Sequence, residues 1–363
     1  MLGEAIRAVR ARVFTVPTDA PESDGTLEWD STTLVLVDIE AGGRRGMGYS
    51  YASAAAASVI RDTLAQHVVG KDAGDIPAAW DAMRAAVRNI GSRGVAACAI
   101  SAVDVALWDL KAKLVDLPLA VLLGRRRDAV EIYGSGGFCS YTDERLRTQL
   151  GDWVFTDGCK AVKMKIGRQP EADPGRSEAA RAAIGEAALF VDANGAFHPR
   201  QALAMAERMA AFGVAWFEEP VSSDDLEGLA MVRARAPTGM DIAAGEYGFD
   251  PFYFRRMLAA GAVDVLQADA TRALGITGFL QAADLADAWA TPLSSHCAPA
   301  LHLHAACAAP RLRHIEWFHD HVRIEAMLFE GAPVPIDGRI APDLTRLGLG
   351  LELKTADAAR FEA

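Results

Sequence analysis

The sequence predicts an α/β protein made of two units, an N-terminal α+β domain and a C-terminal (β/α) barrel. Three observations carry that prediction. The first third reads as strands followed by a run of helices, the order expected of a separate α+β domain. From about residue 130, eight short apolar runs alternate with helix-length stretches, and eight strands close a (β/α) barrel. Most of these runs end on an ionisable residue: Lys165, Asp192, Glu218, Glu246, Asp269, His296 and Glu316. The steps between them are 27, 26, 28, 23, 27 and 20 residues, about one βα unit each. With 363 residues, 51% hydrophobic and 23% charged, the chain can bury one large core or two moderate ones.

In the first unit, "STTLVLVDIEAGGRRGMGYSYA" alternates and is broken by glycines, which predicts strand, turn, strand. Residues 52–123 are rich in Ala and Leu at helical spacing, as in "AAWDAMRAAVRNIG" and "AACAISAVDVALWDLKAKLVD". The eight later runs are "VEIYGSGG", "KAVKMKIG", "ALFVDANG", "VAWFEEP", "DIAAGE", "VDVLQAD", "ATPLSSH" and "RHIEW". Amphipathic pieces lie between them; "PRQALAMAERMAAFG" is opened by Pro199 and closed by Gly213.

The run "AVKMKIG" places Lys163 and Lys165 on one face of a strand and Val162, Met164 and Ile166 on the other. Taken alone, it reads as an edge strand guarded by lysines. A closed barrel changes that reading, because its chemistry sits at the C-terminal strand ends. Closure turns the lysine face toward Asp192, Glu218 and Glu246 on the next three strands. Oxygen-only ligands select a hard cation, magnesium or manganese. Three carboxylates leave a dication one negative charge in excess, which the two lysines offset. In "EEP" alternation alone leaves Glu218 and Glu219 as rivals, since they point to opposite sides.

The net charge of −11 argues against nucleic acid and anionic membrane as partners. An anionic substrate then needs a local positive centre. Five scattered cysteines without a CxxC pair predict neither a zinc site nor a disulfide framework, and they fit a reducing compartment. The first residues lack a signal-peptide core, and no run is long and apolar enough to span a bilayer, so a soluble cytoplasmic protein is expected. No G-x-G-x-x-G follows a strand and no P-loop occurs, which argues against nucleotide-dependent folds.

The lysine pair, "DANG", "FEEP" and "GE" at barrel spacing resemble the enolase superfamily. "QADATRALGITG", "SSH" and a late Glu resemble its mandelate racemase group, and "SAVDVALWDLKAKLVDLPLAVLLG" resembles the segment joining cap to barrel. The resemblance implies a modified (β/α)8 TIM barrel (126–325), an N-terminal α+β capping domain (1–125) and a C-terminal segment (326–363) returning to the cap. It also implies a homo-oligomer of even number, such as an octamer. Arg125 and Leu274 depart from it, standing where glycines are common.

The chemistry so implied is removal of a proton α to a carboxylate, with Mg2+ (or Mn2+) held by Asp192, Glu218 and Glu246. Lys165 would be the acid/base on one face, its pKa depressed by Lys163, which also holds the substrate carboxylate. His296 and Asp269 would form the second acid/base, and Glu316 would hydrogen-bond the enediolate. Aspartate at the end of the sixth strand, where muconate-lactonising relatives carry lysine, favours the mandelate racemase group. Two outcomes remain open: dehydration of a monocarboxylic sugar acid, or racemisation. A non-catalytic binding protein is a third reading, opposed by the full residue set.

In this fold a cap loop closes the mouth, and "VPTDAPESDGTLEWDSTT" is expected to be that loop. Its acids, Asp24 among them, and Trp29 suit a polyhydroxylated ligand. Asn194, Arg272, His319 and His321 are further candidate substrate contacts. His67, His302, His304 and His314 read as packing residues, and Trp108 and Trp153 as core.

Overall fold

The computed structural model describes residues 3–363. Three antiparallel strands begin the cap, β1 (Ala8–Ser23), β2 (Glu28–Ala41) and β3 (Arg44–Tyr51), in the order β1-β2-β3. Gly42 and Gly43 both have positive φ, 55° and 71°, as a two-residue hairpin turn between β2 and β3 requires. The expected mouth loop is largely strand. Its residues form the distal arms of β1 and β2, joined by a short turn at Asp24–Leu27, with the register breaking between Pro17 and Glu22. Pro17 and Pro21 look like loop residues in sequence. They are tolerated because β1 is an edge strand, where a missing N–H breaks no ladder.

Cap helices follow, including Ile76–Ala86 and the 20-residue Val95–Leu114. The long helix lies directly on β3. A Cβ at Gly46 would stand 2.3 Å from the Ala106 carbonyl oxygen, and one at Gly48 would stand 2.4 Å from that of Ala102, so only glycine permits this approach. The same helix reaches the barrel. Asp104 accepts from the Thr277 amide at 2.9 Å and from its hydroxyl at 2.6 Å, and Ser101 accepts from the Gly275 amide at 3.0 Å. Leu274 takes the left-handed conformation (φ 67°) and its carbonyl receives the Trp80 indole, so its buried side chain offsets the backbone cost.

Eight strands form the barrel: β4 (Val130–Gly136), β5 (Ala161–Lys165), β6 (Ala188–Asp192), β7 (Val214–Glu218), β8 (Asp241–Ala244), β9 (Val265–Ala268), β10 (Leu293–Ser295) and β11 (Leu312–Phe318). They pair in parallel in chain order, and β11 closes on β4. All eight coincide with the runs read from the sequence. Tyr133, Phe190, Trp216, Ala243 and Val265 fill the floor of the barrel, with the His314 ring among them. Val162, Met164 and Ile166 join the larger core between strands and outer helices. Thus β5 turns its lysines inward, as its alternation predicts.

The chain's last segment returns to the cap. Asp109 accepts from the Met47 and Leu349 amides, each at 2.7 Å, and the Ala363 amide donates to Val13. Among the described residues no helix is long and apolar enough to cross a membrane. All five cysteines are free thiols.

Candidate active site

The two lysines of β5 end in the mouth, nearly or fully enclosed. Lys163 Nζ touches Glu218, lies 2.8 Å from Glu316 and 3.7 Å from Asp192; Lys165 Nζ pairs with Asp192. Burial alone would drive both ammonium groups toward neutrality. The carboxylates around them outweigh burial and raise both above the ordinary lysine value. The depression of Lys165 expected from its neighbour is therefore not seen here, because Asp192 attracts Lys165 more strongly than Lys163 repels it.

The strand ends of β6 and β7 and the turn after β8 bring Asp192, Glu218 and Glu246 together. One oxygen of each lies within 4.8 Å of the others, and all three residues are buried. The Asn194 amide donates to Asp192 at 2.8 Å and the Trp216 indole to Glu218 at 3.0 Å. Glu246 Oε2 is buried without a hydrogen bond. Five carboxylates of the mouth (these three, Asp269 and Glu316) face only Lys163, Lys165 and Arg272, an excess of two negative charges if His296 is neutral. Burial, with Asp192 and Glu316, pushes Glu218 up to about 8 despite Lys163. An all-oxygen donor set, a buried Glu246 oxygen without a hydrogen bond and acids crowded closely enough to push Glu218 up fit a hard dication. Glu219, the rival by sequence, turns away into a side cavity with Asn194 and Tyr247. There burial and Glu246 hold it far above an ordinary carboxyl.

The end of β10 brings His296 next to the end of β9. Its Nδ1 is 2.8 Å from Asp269 Oδ2, and its Nε2 lies 3.3 Å from Glu246. Asp269 is buttressed from behind: the Thr271 amide donates to Oδ1 at 2.7 Å, and Arg272 Nε lies 3.7 Å from Oδ2. Burial opposes the imidazolium, but Glu246 and the Asp269 hydrogen bond prevail and raise His296 above its ordinary pKa. Glu316 accepts from Ser135 Oγ at 2.6 Å and from the Cys297 amide at 2.7 Å, besides its contact with Lys163. Burial opposes its ionisation, yet Lys163 holds it well below the usual carboxylate range. It is thus an acceptor here, whereas a bond to an enediolate oxygen would need its proton.

A cavity of about 520 Å³ lies over this cluster, lined by Lys165, Asn194, Glu246, Arg272 and His296 and roofed by the cap hairpin. Trp29 and Asp24 line it as the sequence suggested. The Asp24 carboxylate, however, is occupied by the Thr26 and Leu27 amides and shapes the turn. His321 also lines it, with Nδ1 accepting from the Ala298 amide and its ring stacked on Tyr51. Burial and the neighbouring His296 hold it well below the ordinary histidine pKa. His319 does not reach this cavity. Helix His319–Leu328 begins there and aims the ring at Asp19 on β1, 3.1 Å away.

Sequence reading missed several participants. Cys297 Sγ sits 3.2 Å from His296 Nε2, and Thr32, Thr33, Ser53 and Tyr247 line the cavity. His302, read as packing, receives the Ala270 amide on Nε2 at 2.8 Å and lies behind Asp269. Only its helical neighbourhood was visible in sequence, and no local motif marks such support.

Buried lysines and clustered carboxylates gain nothing for the fold alone. Set at the C-terminal mouth of a closed barrel, where such folds carry their chemistry, they mark the site of a barrel enzyme. The chain belongs to the enolase superfamily, in its mandelate racemase/muconate lactonizing enzyme branch. A family model described as "Mandelate racemase / muconate lactonizing enzyme, N-terminal domain" matches residues 8–124, and one described as "Enolase C-terminal domain-like" matches 145–358. An L-talarate/galactarate dehydratase of Salmonella typhimurium is 33% identical over 335 residues, 87% of this chain and 83% of that protein. Its structure with Mg and L-lyxarohydroxamate superposes with a TM-score of 0.88 at 31% identity, covering 99% of this chain and 93% of that one. A D-galactarolactone cycloisomerase of Agrobacterium fabrum is 32% identical over 77% of this chain and 75% of its own. A mandelate racemase/muconate lactonizing enzyme-like protein of Rubrobacter xylanophilus is 50% identical, with a TM-score of 0.97 and coverage of 99% and 100%.

Proposed function

We propose that this protein dehydrates a monocarboxylic sugar acid to its 2-keto-3-deoxy acid by first removing the proton α to the carboxylate. The observation that carries this reading is the meeting of Lys165 and His296 in one cavity, beside a carboxylate trio built for a hard dication. Asp192, Glu218 and Glu246 would hold magnesium, which a solved relative also binds. When bound, magnesium supplies a Lewis acid that draws charge from the substrate carboxylate and offsets the acids that keep Lys165 protonated. Lys163, expected to hold the substrate carboxylate, is wholly enclosed among Asp192, Glu218 and Glu316 and does not line the cavity, so its part is to fix those acids. One of Lys165 and His296 takes the α-proton to its free nitrogen. Protonated His296, fixed through Nδ1 by Asp269, then gives Nε2–H to the departing β-hydroxyl, which leaves as water. The enol left behind takes a proton at C3, loses the proton of its C2 hydroxyl and becomes the 2-keto acid. Relatives named as an L-talarate/galactarate dehydratase and a D-galactarolactone cycloisomerase support acid sugars as the general substrate class.

A single carboxylate is favoured by the cavity's far wall. Ser31, Thr32, Thr33 and Ser53 form it with the Trp29 ring, beside the acids Asp24 and Glu28. The cations lining the cavity are engaged: Arg272 by Glu246 and Asp269, and Lys165 by Asp192. A second carboxylate would meet no spare positive charge there.

The same pair of bases on a shared cavity also permits racemisation. Incubation with magnesium and a panel of aldonic acids in deuterated solvent separates the two reactions. Release of a 2-keto acid is expected. Exchange of the α-proton without keto product from any acid would replace dehydration with racemisation.

A further inference from the structure

Outside the barrel mouth, β1 and the helix after β11 bring a second set of ligand atoms together. One carboxylate oxygen from each of Asp19 and Glu22 and one ring nitrogen of His319 lie within 4.8 Å of one another. Asp19 and Glu22 belong to the cap hairpin, and His319 to the barrel. Asp19 bonds His319 Nε2 at 3.1 Å and Arg145 at 3.0 Å.

Acidic clusters are common, but Glu22 is not an ordinary member of one. It is 1% exposed, and only one of its oxygens has a partner, the Trp29 indole at 2.8 Å. Its Oε1 is buried and bonded to nothing. A carboxylate oxygen left in this way costs free energy unless something else meets it. The charges nearby do not supply that partner. Arg145 pairs with Asp19 and Arg323 with Asp320, and neither arginine pairs with Glu22. Burial, with Asp320 and Asp19, pushes the Glu22 carboxyl up to about 8. A cavity of about 760 Å³, lined by Asp19, Arg145 and His319, opens beside the cluster and gives solvent a route to it.

We propose that Asp19, Glu22 and His319 form a second divalent-cation site, suited to a transition metal such as zinc, that ties the cap hairpin to the barrel. One imidazole and two carboxylates make a mixed N/O donor set, softer than the all-oxygen trio of the mouth. Zinc takes such donors in a four-coordinate shell and would leave a position for water from the cavity. The ion would give the buried Glu22 carboxyl the partner it lacks and hold it ionised.

The test uses the full chain saturated with magnesium and titrated with zinc alone, followed by calorimetry. One further zinc per chain is expected, with a rise in the thermal midpoint. Glu22→Gln and His319→Gln should each weaken that zinc by about tenfold or more, judged by the usual effect of disturbing a metal shell. Each should also reduce the midpoint rise. Both variants are expected to fold, since the amide oxygen introduced by Glu22→Gln can still accept from Trp29 and His319 is part-exposed; circular dichroism checks this. Absence of any zinc beyond the magnesium would overturn the proposal, as would unchanged zinc affinity in both variants. Loss of zinc in Cys297→Ser instead would place the ion on His296, Cys297 and Glu316, the other mixed cluster, and would also overturn it.

Discussion

Lys163 is wholly enclosed among Glu218, Glu316 and Asp192, whereas Lys165 keeps a small exposed face on the cavity and a single carboxylate partner. The first is an anchor and the second is placed to exchange a proton. Lys165→Ala and His296→Asn should each lower turnover by roughly 10²–10⁴-fold, the usual span for a lost acid/base, while magnesium affinity stays close to that of the parent. Steady-state kinetics paired with a metal titration checks this; lost magnesium binding would move the altered residue into the metal site. Asp269→Asn tests the dyad through pH. The Asp269 carboxylate is one of the groups raising the His296 pKa, so its loss should lower it. If protonated His296 is the acid that expels the hydroxyl, activity then falls off at a lower pH on the alkaline side. A kcat/KM profile with an unmoved alkaline limb would refute that assignment.

At the scale of elements, the barrel was legible because each strand is short, apolar and bounded by turn residues, and because strand ends carry the ionisable side chains. Residue types and spacing were enough to bring Asp192, Glu246 and one acid of the "EEP" pair together, and the family resemblance chose Glu218 over Glu219. The cap hairpin was not legible. Pro17, Pro21 and a cluster of acids look like a loop, and only the edge position of β1 makes them compatible with a strand. His319 was misplaced for a related reason. Nothing local says that the helix after β11 begins by aiming its first side chain at the outer face of the hairpin. Cys297 and His302 reach the site through packing between distant elements, which no spacing rule encodes. The contact of β3 with helix Val95–Leu114 gives an element-scale prediction. Gly48→Ala places a Cβ 2.4 Å from the Ala102 carbonyl oxygen, so strand and helix must part. A loss of about 1–3 kcal/mol is expected for such overpacking, read as a lower urea midpoint.

At the scale of the whole molecule, cap and barrel are joined by buried polar contacts as well as apolar ones. His304, on helix Pro299–Ala308, accepts the Ala120 amide on Nδ1 at 3.0 Å, a bond that only the neutral form of that nitrogen can make. Burial lowers its pKa to about 4 from an ordinary 6.5. The unfolded chain therefore binds the proton first as pH falls. Stability from this group is complete above about pH 6.5 and is lost between there and pH 4, amounting to roughly 3 kcal/mol. His304→Gln keeps an acceptor but does not titrate, so its stability should fall less steeply with acid, by about one proton. Equal slopes in parent and variant, from urea unfolding across that range, would show that His304 is not the group responsible. The long helix Val95–Leu114 has a wider consequence. Held by Thr277 and Gly275 on one side and by Met47 and Leu349 on the other, it bolts the cap to the barrel as one body. A swing of the cap as a door would have to break these buried bonds. The hairpin end that roofs the cavity stands apart from that joint, so substitutions at Leu27, Trp29 or Ser31 can change which acid is accepted while the frame that holds the chemistry stays as it was.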